Sequence, residues 1–166
     1  EHAHNCRVER CSFRHVGGHA LILKSGCADN EIVGNTICWT GEGGIRLDGS
    51  FPTQPSRGRP VEERPQRTLI RGNHIHHCGQ LYKHVAGVYM NYAMDNEITH
   101  NLIHDVPRYG ISMKLDTAGN LVAFNEIRRT NLETNDTGAV ELYVNTGGNQ
   151  ILNNLIVDTV GLKTPT

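Results

Sequence analysis

Four carboxylates and a small set of cations, phenols and amides carry the chemistry this chain could perform. Glu141, Asp136 and Asp116 are candidate acids, bases or nucleophiles, and Arg46, Asp48, Tyr89, Asn91, Lys114 and Tyr143 are candidate substrate-binding side chains. Cleaving a glycosidic bond takes two carboxyls about 5 to 5.5 Å apart for retention, or about 6.5 to 9.5 Å apart for inversion. Tyrosines would offer flat apolar faces to sugar rings, and charged groups would hold the hydroxyls. A different chemistry, β-elimination from a uronic acid, needs a base for the C5 proton and a cation for the carboxylate. Lys114 beside Tyr143, with Arg46 or Arg108 nearby, has those types.

Whether such residues meet depends on the elements that carry them, and here a repeat decides. The triplet Asn-x-Ile recurs at Asn35, Asn73, Asn101, Asn125 and Asn154, with Cys11-Ser12-Phe13 in the same register one period earlier. The steps are 24, 38, 28, 24 and 29 residues, so the unit is 24 and the excess is inserted loop. Three residues before each triplet stands an apolar residue (Val8, Ile32, Ile70, Ile98, Val122, Ile151). Five before stands a polar or small one (Cys6, Asn30, Thr68, Asn96, Asn120, Asn149).

Apolar positions five apart cannot both face inward on a straight strand, so the chain must bend between them, and the Asn is expected at the bend. Stacked amides would then hydrogen-bond from coil to coil. A third apolar-x-apolar segment follows each time, at Leu21, Ile45, Val88, Ile111 and Val140, and no helical period intervenes. The expectation is all-β: a right-handed parallel β-helix solenoid of about six coils of three short strands, uncapped and incomplete. It is read as a single domain over 1–166, with an insertion at 50–66 that returns to the stack at Thr68. Enlarged turns at 79–86 and 130–138 would protrude near the same strand and wall a groove.

In that register the third strand presents two outward columns. One reads Ile22, Arg46, Tyr89, Ser112, Glu141; the next reads Lys24, Asp48, Asn91, Lys114, Tyr143. Asp136 sits in an enlarged turn that could fold over Glu141, whereas Asp116 and Asp48 lie roughly 14 Å from it at ~4.8 Å per coil and ~3.3 Å per residue. Of the ten histidines, His76 should stack on His104, with His77 beside Asp105. A third ligand of the right type is missing from that set, so no metal is assigned. Trp39, in the same turn register, is read as packing.

The bulk composition excludes other partners. Lys+Arg 16 against Asp+Glu 17, with the densest basic stretch broken by acids and prolines, gives no phosphate-tracking surface. No apolar run approaches the ~18 residues of a membrane span. Cys6, Cys11, Cys27, Cys38 and Cys78 are odd in number and lack a CxxC pair, so they are read as small core or turn residues, with one disulfide as the alternative.

The segments Gly43-Gly44-Ile45-Arg46-Leu47, Asn73-His74-Ile75-His76-His77, His100-Asn101-Leu102-Ile103-His104-Asp105 and Asn135-Asp136-Thr137-Gly138-Ala139-Val140 resemble bacterial right-handed parallel β-helix repeat proteins. The resemblance covers nearly the whole chain and is closest to β-helix glycoside hydrolases of the α-fucosidase and β-xylosidase type. It implies an extracellular or periplasmic protein acting on plant or microbial polysaccharide without a cofactor, with the remaining coils of a parent protein as its structural partner. A lyase or epimerase working through Lys114 and Tyr143, and a non-enzymatic carbohydrate-binding or adhesive β-helix, stand as alternatives. One solenoid hosts many chemistries, so the choice rests on the site.

Overall fold

The computed structural model describes residues 1–49, 63–144 and 146–161. Its regular elements are strands of three to six residues in three parallel sheets. The first sheet stacks β1 (Arg7–Glu9), β4 (Glu31–Val33), β7 (Leu69–Arg71), β10 (Glu97–Thr99), β13 (Leu121–Ala123) and β16 (Gln150–Leu152). The second stacks β2 (Ser12–Arg14), β5 (Thr36–Cys38), β8 (His74–His76), β11 (Leu102–His104), β14 (Glu126–Arg128) and β17 (Leu155–Val157). The third holds β3 (Leu21–Lys24), β6 (Ile45–Asp48), β9 (Ala86–Asn91), β12 (Tyr109–Lys114) and β15 (Val140–Tyr143). Each strand thus pairs with its counterpart one coil away, which is a parallel β-helix of about six coils in the expected register.

The strands of the first two sheets are short because a left-handed residue stops each one. Gly34, Gly72, His100 and Phe124, with φ between 56° and 65°, stand immediately before the ladder asparagines. Trp39, His77, Asp105 and Arg129 do the same after the second strand. The bend is therefore one residue earlier than the sequence pattern suggests, and the Asn itself is not left-handed. For a non-glycine residue this conformation costs about 1 to 2 kcal/mol, so something must repay it at every corner.

The Asn side chain does. Asn101 Oδ1 accepts from the Asn73 backbone N–H (2.9 Å) and from Asn73 Nδ2 (3.0 Å), while Asn101 Nδ2 donates to the Ile70 carbonyl (3.0 Å) and to Asn125 Oδ1 (2.9 Å). Asn35, Asn73 and Asn125 repeat the pattern, and the amide ladder ends on Asn154. A second ladder runs through Asn96, Asn120 and Asn149. Thr68 interrupts it, and its buried hydroxyl has no hydrogen-bond partner.

Inside the three sheets lies a column of apolar side chains, including Ile32, Ile70, Ile98 and Val122 from the first sheet and Ile37, Ile75, Ile103 and Ile127 from the second. In the middle coils they are completely covered, whereas Ile151 and Ile156 in the last described coil are 37% and 45% exposed, with no further described coil stacked on them. All five cysteines are free thiols: Cys27, Cys38 and Cys78 are buried, Cys6 and Cys11 exposed. Burial pushes the Cys78 thiol up to about 12, as a core residue should behave. Residues 50–62 of the proposed insertion lie outside the described residues. Gln66 bridges both Ala28 and Met94, so the chain is back beside its neighbours two residues before Thr68.

Candidate active site

The outward columns of the third sheet form as the alternation requires. Ile22, Arg46, Tyr89, Ser112 and Glu141 are register partners in turn, as are Lys24, Asp48, Asn91, Lys114 and Tyr143. The face is less open than the alternation implies, because its short members are roofed by long ones. Ser112, Asn91 and Asp48 are buried. Ser112 Oγ donates to Glu141 Oε2 (2.7 Å), and Arg46 lies over Asp48 with Nε 2.9 Å from Oδ2.

Two polar clusters result, at opposite ends of one face. In the later coils Lys114 Nζ is 3.1 Å from Glu141 Oε2, and the Glu141 side chain keeps 20% of its exposure. Burial alone would lower the Lys114 pKa, but the contacts with Glu141 and Tyr109 outweigh it and hold the ammonium charged. Lys114 Nζ also lies 4.9 Å from the centre of the Tyr109 ring and 5.4 Å from that of Tyr143, within cation–π range. Arg108 approaches the same Tyr109 ring at 5.0 Å and reaches Asp136 Oδ2 at 2.9 Å. One phenol thus links two cations, each paired with one candidate carboxylate. The enlarged turns touch each other: Lys83 of one pairs with Glu133 of the other at 2.9 Å.

The carboxylates differ in surroundings. Asp136 is exposed, and a hydrogen bond from the Thr134 hydroxyl, with the charge of Arg108, holds its carboxyl below the usual range. Asp116 occupies a left-handed corner beyond β12 and is tied into none of these contacts. In the earlier coils the row ends in a pair that the sequence reading passed over. His19 Nδ1 contacts Glu42 Oε2, with the imidazole almost completely buried, and burial lowers its pKa against the opposing pull of Glu42. Asn91 Nδ2 donates to Asp48 Oδ1 (3.2 Å), and Arg46 lies 5.1 Å over the Tyr89 ring. The 23-residue spacing of His19 and Glu42, close to one coil, was the available signal.

The second sheet carries another polar concentration. His76 and His104 stack with ring centres 4.9 Å apart, as expected, but the set is larger than two. His74 Nε2 lies 2.7 Å from His104 Nε2, and His77 Nδ1 lies 2.7 Å from His76 Nδ1. The sequence count of metal-capable groups was therefore short. His74 and His76 are two apart on one strand, so both face outward, and His77 returns to them around the left-handed corner. Burial, followed by the neighbouring imidazoles, pushes His76 down to about 4. Trp39 stacks between His15 and His77 of neighbouring coils, at ring-centre distances of 6.4 and 4.3 Å, yet stays 41% exposed.

These coils belong to a recognised family. Residues 1–163 match the model of the right handed beta helix region, and the chain is a member of that family, which also defines the hand of the solenoid. A solved structure titled "Glycoside hydrolase" superposes with a TM-score of 0.62 at 18% identity, covering 92% of this chain and 37% of its own length. That likeness establishes the shared fold, and the chain spans little more than a third of that protein. No curated protein matches.

Proposed function

We propose that the outward face of the third sheet binds carbohydrate and that the parent protein is a glycoside hydrolase, secreted or periplasmic, of which these coils carry the substrate groove. The observation that carries this reading is the joined cluster Glu141–Lys114–Tyr109–Arg108–Asp136, flanked by Tyr143 and by enlarged turns that are clasped together. It offers ring faces, hydroxyl-binding cations and two carboxylates at one place. The similarity in fold to a structure titled glycoside hydrolase supports it.

The environment assigns roles. Glu141, ion-paired to a protonated Lys114 and accepting from Ser112, is suited to be the ionised nucleophile or base. Asp136 is held ionised by Thr134 and Arg108, so it serves as an acid only once a sugar displaces Arg108. The lyase reading asks Lys114 to be a neutral base, and its raised pKa works against that.

The test is reducing-end release from a panel of plant and microbial polysaccharides by the wild type and Glu141→Gln. The hydrolase reading expects activity in the wild type and a drop in kcat of about 10³-fold or more in the variant. Unsaturated products absorbing in the far ultraviolet would select the lyase; retention without cleavage would select the binding module.

A further inference from the structure

Outside the carbohydrate face, the imidazoles on β8, its following corner and β11 make the densest set of metal-capable atoms among the described residues. One ligand atom from each of His77, His104 and Asp105 lies within 4.8 Å of the other two. His74 stands outside that trio but places its Nε2 2.7 Å from His104 Nε2.

The protonation pattern follows from the contacts. His104 Nδ1 faces Asp105 Oδ2 at 2.7 Å, so that nitrogen carries the proton and Nε2 presents its lone pair. A carboxylate behind a histidine is the usual outer support of a metal-binding imidazole. Asp105 is itself fixed, since its two oxygens accept from Arg129 Nε (2.6 Å) and an Arg129 terminal nitrogen (2.8 Å). With those oxygens engaged, Asp105 is better placed to orient His104 than to bind an ion.

We propose that His104 Nε2, His74 Nε2 and an imidazole nitrogen of His77 together hold one borderline divalent ion of the zinc, copper or nickel class, with Asp105 and Arg129 orienting His104. Imidazole nitrogen favours these ions over magnesium or calcium. Two imidazoles on one tetrahedral ion at about 2.0–2.1 Å stand about 3.3 Å apart. The His74–His104 pair at 2.7 Å therefore has to open by only about 0.6 Å to admit one. His74 and His104 sit on neighbouring coils, two positions apart in register because His104 pairs with His76 and His74 with Leu102, so the ion would pin one coil to the next.

The experiment is calorimetric titration of the metal-stripped chain with Zn²⁺ and, separately, Ca²⁺, together with melting curves in each. Expected are saturable 1:1 Zn²⁺ binding, no Ca²⁺ binding, and a Tm raised by Zn²⁺ alone. Binding should be lost in His104→Gln, weakened in both His74→Gln and His77→Asn, and weakened about tenfold in Asp105→Asn. Asn at 77 keeps a residue that tolerates the left-handed corner, so folding is preserved, and each variant's own melting curve without metal verifies this. His4→Ala, outside the patch, should bind as the wild type does. Absence of saturable Zn²⁺ binding, or wild-type affinity in folded His104→Gln, overturns the site. Wild-type affinity in either His74→Gln or His77→Asn overturns the three-histidine assignment.

Discussion

Two polar columns run along this solenoid, and they follow opposite rules. The corner column repeats one residue, Asn35, Asn73, Asn101, Asn125 and Asn154, each amide saturated by the same four partners in the inner coils. The outward column of the third sheet changes at every coil, from Ile22 through Arg46, Tyr89 and Ser112 to Glu141. A ladder needs identity, because each rung must offer the donor and acceptor that the next rung requires. A binding face needs variety, because a sugar presents different groups along its length. Repetition of a polar residue in a β-helix therefore marks architecture, and its variation marks the place to look for chemistry.

The sharpest way to break the comparison is at a rung. Asn101→Leu removes both acceptor and donors from a buried site, stranding the Asn73 N–H and the Ile70 carbonyl. At about 1 to 3 kcal/mol for each unpaired group, denaturant unfolding should show a loss of about 2 to 6 kcal/mol. The opposite change sharpens it: Thr68→Asn places an amide where a buried hydroxyl is unpaired, between Asn30 and Asn96. It should raise stability by about 1 kcal/mol, and an unchanged or lowered denaturation midpoint would mean that the ladder is not continuous there. The smallest effect belongs to the variable column. Glu141→Gln leaves a mostly covered side chain of the same shape that can still accept from Ser112, and it weakens one ion pair, so the same unfolding assay should register about 1 kcal/mol or less.

The legibility of the molecule followed this division. The Asn and Ile columns announce their register by identity at a fixed period, and every strand pairing predicted from them is present. The backbone detail was less visible. Arg10, His100 and Phe124 hold left-handed conformations at positions shared with Gly34 and Gly72, and only the two glycines among them advertise it. The site was legible where alternation governs, as in the order Arg46, Tyr89, Ser112, Glu141. It was hidden where turns govern: Glu42 meets His19, Arg108 meets Asp136, and His77 meets His76 through corners whose path no periodicity specifies. Burial of Ser112, Asn91 and Asp48 was missed for a related reason, since period two assigns a face but not the length of the neighbour that covers it.

Affinity electrophoresis tests the carbohydrate face most directly. Wild type, the double variant Lys114→Ala with Tyr143→Ala, and Arg128→Ala on the second sheet would be run through gels containing each polysaccharide of the panel. The double variant removes the cation and the ring beside Glu141, while Arg128 lies on a different sheet. The account predicts that at least one polysaccharide retards the wild type and Arg128→Ala alike and leaves the double variant, still folded, at its mobility in a plain gel. Retardation of the double variant equal to the wild type, or loss of retardation in Arg128→Ala instead, would contradict the assignment of the third sheet as the binding face.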